Sequence, residues 1–137
     1  MSADSQWALQ TAIFAALSAD ADVKTHIGDP ARIFDHVPPE SVFPYLVIGE
    51  ATSGPFDVKT HEGMEQTLTL HAWSRYRGLR EIKDIMTAVT KALDQQALSL
   101  VGHTLVLLRF EFATTFLDSD GLTRHGVQRF RAITQAA

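Results

Sequence analysis

GMEQTLTLHAWSRYRGLREIKDIMTAVTKAL, residues 63–93, decides the fold. From Met64 to Ser74 the residues alternate. Leu68, Leu70 and Ala72 fall on one side; Thr67, Thr69, His71 and Trp73 fall on the other. A period of two with several β-favouring residues marks a strand with two chemically different faces. From Gly78 the period lengthens. Leu79, Ile82, Ile85, Met86, Val89 and Leu93 recur at spacings of three and four, and Arg80, Glu81, Lys83, Asp84, Thr87, Thr90 and Lys91 take the opposite side. That spacing predicts an amphipathic helix of about four turns. A strand feeding a helix with one apolar stripe folds so that the stripe covers one sheet face, and flanking strands complete the sheet.

Toward the N-terminus, Asp4 or Ser5 can cap a first helix whose stripe is Leu9, Ile13, Ala16 and Leu17, bordered by Trp7, Gln10 and Phe14. Asp20 is a fresh cap for a short helical turn carrying Val23 and Ile27, stopped by Gly28 with Pro30 just beyond. Ala31 to Val37 reads as a short strand that ends at Pro38-Pro39, where no ladder can continue. Tyr45 to Glu50 (YLVIGE) reads as a second strand. Ala51 to Glu62 contains Gly54-Pro55 and no sustained period. About a dozen residues is long for a connection in a compact domain. The segment is either a hairpin tip or irregular extension of the two strands, or a binding arm with Phe56 as its apolar anchor.

Toward the C-terminus, Asp94-Gln95-Gln96 ends the helical pattern, Leu98 to Val101 is short and apolar, and Gly102-His103 marks a turn. Thr104 to Leu117 (TLVLLRFEFATTFL) is a strand with Val106, Leu108, Phe110 and Phe112 expected on one face and Leu105, Leu107, Arg109 and Glu111 on the other. Asp118-Ser119-Asp120-Gly121 is a turn. Thr123 to Thr134 is the last strand, with Gln128, Phe130 and Ala132 opposite Val127, Arg129, Arg131 and Ile133. Placing the charged residues of both strands on one face predicts a hairpin closed by a three-residue loop, Ser119-Asp120-Gly121, with Glu111 opposite Arg129 and Arg109 opposite Arg131. Opposed like charges are unfavourable. Either an acidic group from elsewhere meets that face, or the face is solvated in a slightly different register.

With 137 residues, the chain is expected to form one domain, residues 1–137, that buries roughly two-thirds of its unfolded surface. Apolar residues make up 45% and charged residues 20%, the balance of an ordinary globular protein. Without cysteine there is no disulfide framework and no thiolate ligand or nucleophile. No signal peptide is expected at the start, and no apolar run reaches the roughly 18 residues of a membrane span. A net charge of −4 gives no overall attraction to nucleic acid.

Catalytic motifs do not emerge. The six histidines show neither the paired helical spacing of a zinc protease nor an alternating strand pair, and three fall next to expected turns or loops; they read as surface histidines, the alternative being a metal site assembled through space. Asp118-x-Asp120-Gly121 starts like a calcium loop, but its twelfth position is Arg129 where a glutamate is required. Glu111 and Asp118 would lie roughly 23 Å apart on an extended strand, too far to share a substrate. No nucleophile elbow, dinucleotide fingerprint or phosphate loop is present. The cluster Arg75-Tyr76-Arg77-Gly78-Leu79-Arg80 sits at a helix N-terminus, where basic residues oppose the macrodipole. It is a solvated patch, or a contact for an acidic partner subunit or a phosphate backbone.

Taken together, DPARIFDHVPPESVFPYLVIGE, TLTLHAWSRYRG, GHTLVLLRFEFATTF and DSDGLTRHGVQRFRA resemble the small tail-completion proteins of long-tailed phages and gene transfer agents. The resemblance runs from about Trp7 to Thr134 and rests on FPY, the HAWSR strand end and the HGVxRFRA last strand, in order. It implies an α+β fold like that of lambda-type tail terminators: a mixed or mainly antiparallel sheet with two main helices on one face. It implies a structural virion protein with no catalytic residues and no cofactor. It further implies assembly in the bacterial host cytoplasm into a homo-oligomeric ring, a hexamer, at the head-proximal end of the tail tube. That ring would end tube growth, meet the tail tube protein and the head connector or adaptor, and let DNA pass through its lumen without specific binding. Residues available for such contacts are Phe56 and Asp57 of the 51–62 segment, Arg75, Arg77 and Arg80 at the strand–helix junction, and Arg109, Glu111, Arg129 and Arg131 on the sheet. The competing readings are another neck or head-tail adaptor, a nucleic-acid binder working through Arg75, Arg77 and Arg80, and a small ligand-binding or enzymatic α+β domain, which would need a deep pocket of convergent polar groups.

Overall fold

The alternating stretch folds as strand β3 (Gly63–Ser74) and the amphipathic stretch as helix α3 (Arg80–Leu93), in a computed structural model that describes residues 4–57 and 62–137. Before them come helices α1 (Ser5–Ala19) and α2 (Ala21–Ile27) and strands β1 (Ile33–Phe34) and β2 (Tyr45–Pro55). After them come β4 (Ser99–Leu100), β5 (His103–Leu117) and β6 (Arg124–Ala136). The strands form one six-stranded sheet in the order β1-β2-β3-β6-β5-β4. Only β1 and β2 run parallel; every other pair is antiparallel. The fold is α+β with a mixed sheet, as expected.

Local chemistry sets the helix ends. Asp4 caps α1 by accepting from the backbone N–H of Gln6 (3.0 Å) and Trp7 (3.4 Å), and Asp20 caps α2 through Val23 N–H (3.0 Å). Gly28 ends α2 at φ +94°, where a side chain would be strained. The stripe of α3 (Ile82, Ile85, Met86, Val89 and Leu93) is buried on the sheet face built by Leu46, Ile48, Leu68, Leu70, Ala72, Leu108, Phe130 and Ala132. Leu9, Ile13 and Leu17 of α1 and Val23 and Ile27 of α2 join the same core. Two glutamines lie within it. Gln128 donates to Met86 C=O (2.9 Å) and Thr90 Oγ1 (2.8 Å), and Gln66 donates to Thr134 Oγ1 (3.1 Å), so neither amide is buried unpaired.

Four expectations change. The first strand shrinks from residues 31–37 to Ile33–Phe34, because the chain turns off the sheet and Asp35 accepts from Gln10 of α1 (3.1 Å). Conversely, β2 runs past the expected Glu50 to Pro55, so five of the twelve residues 51–62 continue the strand, in line with the strand-extension reading of that segment. A bulge at Gly49-Glu50 lets it continue. Gly49 is required there, since a Cβ would stand 2.7 Å from the His71 ring.

The third and fourth changes have one cause. β5 carries two irregularities, between Leu105 and Leu107 and between Phe110 and Phe112. Each adds an unpaired residue and reverses the expected alternation. Leu105, Leu108 and Phe110 therefore face the helices, Val106 is exposed, and Phe112 joins the opposite face, opposing Arg129. The same shift lengthens the hairpin loop. Leu117 opposes Arg124, Asp118 N–H donates to Thr123 C=O (2.7 Å), and four residues, Ser119–Leu122, replace the expected three. Asp120 organises this loop by accepting from the N–H of Leu122 and of Thr123 (2.8 Å each) and from the Thr123 hydroxyl (2.6 Å), and these bonds hold its carboxyl down at about 2.

Candidate assembly surface

The odd-numbered positions of β3 and β6 face away from the helices and form an open sheet face with two contrasting halves. One half is aromatic. The Trp73 and His125 rings stack with centroids 3.8 Å apart, and Phe116 meets His125 edge-on at 4.8 Å. His125 Nε2 lies 2.7 Å from His71 Nδ1, and His71 Nε2 lies 2.8 Å from Glu50 Oε1. Each imidazole–imidazole bond needs one donor and one acceptor, so the two rings share a single bridging proton. Burial, and next the neighbouring His71, push the His125 pKa below its ordinary value, while the hydrogen bond from His71 lowers that of Glu50.

The other half is charged. Arg109 does oppose Arg131, as the sequence pairing predicts. The acidic group that relieves it comes from the same chain: Glu65 of β3 holds Arg131 at 2.6 Å. Glu111 occupies the bulge and does not sit opposite Arg129 in the ladder, yet the two still approach to 3.8 Å. Arg129 also lies over the Phe112 ring at 5.0 Å. All of these side chains are partly exposed.

The strand–helix junction is better compensated than the sequence implies. Arg80 pairs with Asp84 one turn on (3.0 Å), and Glu81 in the first turn suits the helix dipole and accepts from Ser74 Oγ (2.7 Å). Arg75 lies over the Phe43 ring (4.3 Å) and donates to Thr123 Oγ1 (3.2 Å). Arg77 is exposed and makes no ion pair among the described residues. Phe56 is exposed, and its N–H donates to Gly63 C=O (2.8 Å). Asp57 Oδ1 accepts from Gly63 N–H (3.2 Å). Residues 58–61 of the suggested arm lie outside the described residues. The nine candidates thus fall into three separate places: the mouth of the β2–β3 connection, the β3–α3 junction and the open face. Sequence reasoning missed the Glu50–His71–His125–Trp73–Phe116 cluster. The β3–β6 register, which sets Trp73 against His125, is the signal that exposes it.

Among the described residues no three His, Cys, Asp or Glu side chains are grouped to hold a metal, and no helix is long and apolar enough to cross a membrane. A groove of about 470 Å³ between α3 and β5 is lined by Met86, Phe110, Ala113 and Gln128, with Lys83 and Lys91 among its charged lining. Its amide, Gln128, is already bonded to Met86 and Thr90, so the groove offers shape and charge rather than a nucleophile–base pair.

The described residues form an α+β domain with exposed aromatic and charged surfaces, the kind of surface through which a protein makes contacts. Residues 11–135 match the family model described as tail completion protein gp17. The tail completion protein gp17 of Bacillus phage SPP1 is 35% identical over 89 residues, covering 65% of this chain and 66% of that protein. The solved structure of bacteriophage SPP1 gp17 superposes with a TM-score of 0.63 at 27% identity, covering 93% of this chain and 89% of that one. A chain in the structure of the virion of a native gene transfer agent particle superposes with a TM-score of 0.89 at 26% identity, covering 98% of this chain and 100% of that one. The chain belongs to the tail completion protein gp17 family. It is a structural component of a phage or gene transfer agent tail and not an enzyme.

Proposed function

We propose that this protein, acting as a single domain, forms a homo-oligomeric ring, a hexamer, at the head-proximal end of the tail tube. There it ends tube growth and joins the finished tail to the head connector or adaptor. The observation that carries the proposal is the near-complete superposition on a chain of an assembled gene transfer agent particle, together with the family match over residues 11–135. A single-chain domain with two chemically distinct edges suits head-to-tail packing, which closes into a ring when the rotation between neighbours closes. The net charge of −4 suits a lumen that DNA passes without being held. Assembly takes place in the bacterial host cytoplasm, before tail and head meet.

Purified protein added to tail tubes made without it provides the test. The protein should bind one end of each tube, block further addition of tube subunits, and restore joining to filled heads. Binding along the tube wall, or joining restored while tubes keep growing, would replace termination with a neck or adaptor role.

A further inference from the structure

We propose, resting on the ring reading above, that neighbouring copies meet through the two edges of the sheet: the groove between α3 and β5 of one copy receives the α1–β1 edge of the next. Both edges have unpaired backbone. β4 pairs with β5 only at His103 and Thr104, and the Asp94-Gln95 turn bonds to it only at Phe110 N–H and Leu108 C=O (2.8 Å each). From Glu111 to Leu117 the outer side of β5 has no partner strand among the described residues. At the other end of the strand order, β1 pairs with β2 only at Leu46 and Val47, which leaves Ile48 to Pro55 without an outer strand. Open strand edges of this length invite pairing with another chain.

Each open edge adjoins an apolar cleft. The α3–β5 groove exposes Phe110 beside Ala113, and a second cleft of about 340 Å³ at the α1–β1 edge exposes Trp7 and Phe14.

Charge selects a second copy as the occupant and fixes which edge meets which. Residues 1–57, which build the α1–β1 edge, hold eight acidic and two basic side chains, whereas residues 58–137 hold eight acidic and ten basic. Locally, exposed Lys83 and Lys91 line the groove, and exposed Asp35 lines the opposite cleft. Groove-to-groove packing would set lysines against lysines. Groove-to-cleft packing sets them against Asp35 and, because the two faces differ, propagates in one direction round a ring.

The chain has no cysteine, so introduced thiols report on one contact alone. Particles assembled with a Phe14→Cys, Ala113→Cys double variant are oxidised and run without reductant. A ladder of covalent multimers is expected, with none from either single variant. A parallel sample of wild-type particles treated with an amine-to-carboxylate cross-linker separates the two levels of the proposal. Multimers from that reagent without the disulfide ladder would keep the ring and overturn the edge assignment. Multimers from neither would overturn both. Lys83→Glu, Lys91→Glu gives an independent check, because both side chains are exposed and the variant should keep the wild-type thermal transition. Its incorporation into particles is expected to fall at least tenfold and to recover in part when Asp35→Lys is added. Undiminished incorporation would contradict the proposal.

Discussion

A Cβ built on Gly126 would lie 2.6 Å from Met86 Sδ and 3.0 Å from Ile82 Cγ1, so the missing side chain is what lets α3 settle on β6. Gly126→Ala is therefore expected to destabilise the protein by about 1–3 kcal/mol, read from the urea midpoint, through overpacking rather than backbone strain. His125 gives a pH signature. Its folded-state pKa lies below the ordinary histidine value, so the unfolded chain takes up its proton first as the pH falls. Its contribution is complete above about pH 6.5 and is lost progressively as the pH drops through the folded-state pKa. Glu50, with its depressed pKa, adds a second loss at lower pH, as it protonates. Urea midpoints of His125→Gln between about pH 7 and 5 should fall less steeply than those of the wild type; parallel slopes would show that this imidazole stays uncharged or solvated. Neither feature was legible residue by residue. Gly126 sits inside a strand pattern without any turn signal, and His71 and His125 are 54 positions apart, joined only by the register of β3 on β6.

The elements were legible in proportion to their periodicity. From Ile82 to Leu93 the stripe of α3 lands on the sheet as its spacing requires, whereas Leu79, expected to begin it, is the N-cap residue and is exposed; β3 keeps its two faces over its whole length. Ile85→Ala, within that stripe, should cost about 2–5 kcal/mol, whereas Thr87→Ala on the exposed side should change stability by no more than about 0.5 kcal/mol. Chemical denaturation of the pair checks the orientation of the helix directly. β5 was read correctly as a strand and incorrectly as to faces before Leu107 and beyond Phe110. A bulge inserts one residue with no compositional mark, and Glu111 is charged in either reading. The continuation of β2 was hidden for a related reason: Thr52, Ser53 and Gly54 lack the apolar alternation that identifies a half-buried strand, since this part of β2 is largely exposed.

At the scale of the molecule, FPY, the HAWSR strand end and the HGVxRFRA last strand, in that order, carried the family resemblance, and the matched span of 11–135 agrees with it. The assembly surfaces were only partly legible. Arg109, Arg129 and Arg131 do share one face, but the acids that reach Arg129 and Arg131, Glu111 and Glu65, are supplied from within the chain, and Arg75 and Arg80 are likewise engaged locally. Charges that satisfy one another leave less to attract a partner, which shifts attention from the charged sheet face to the open edges. Tail length in a producing strain lacking this gene tests the terminator reading most directly. Electron microscopy should show overlong tubes without heads, and a plasmid copy of the gene should restore normal length. Particles with heads and tails of normal length would contradict it.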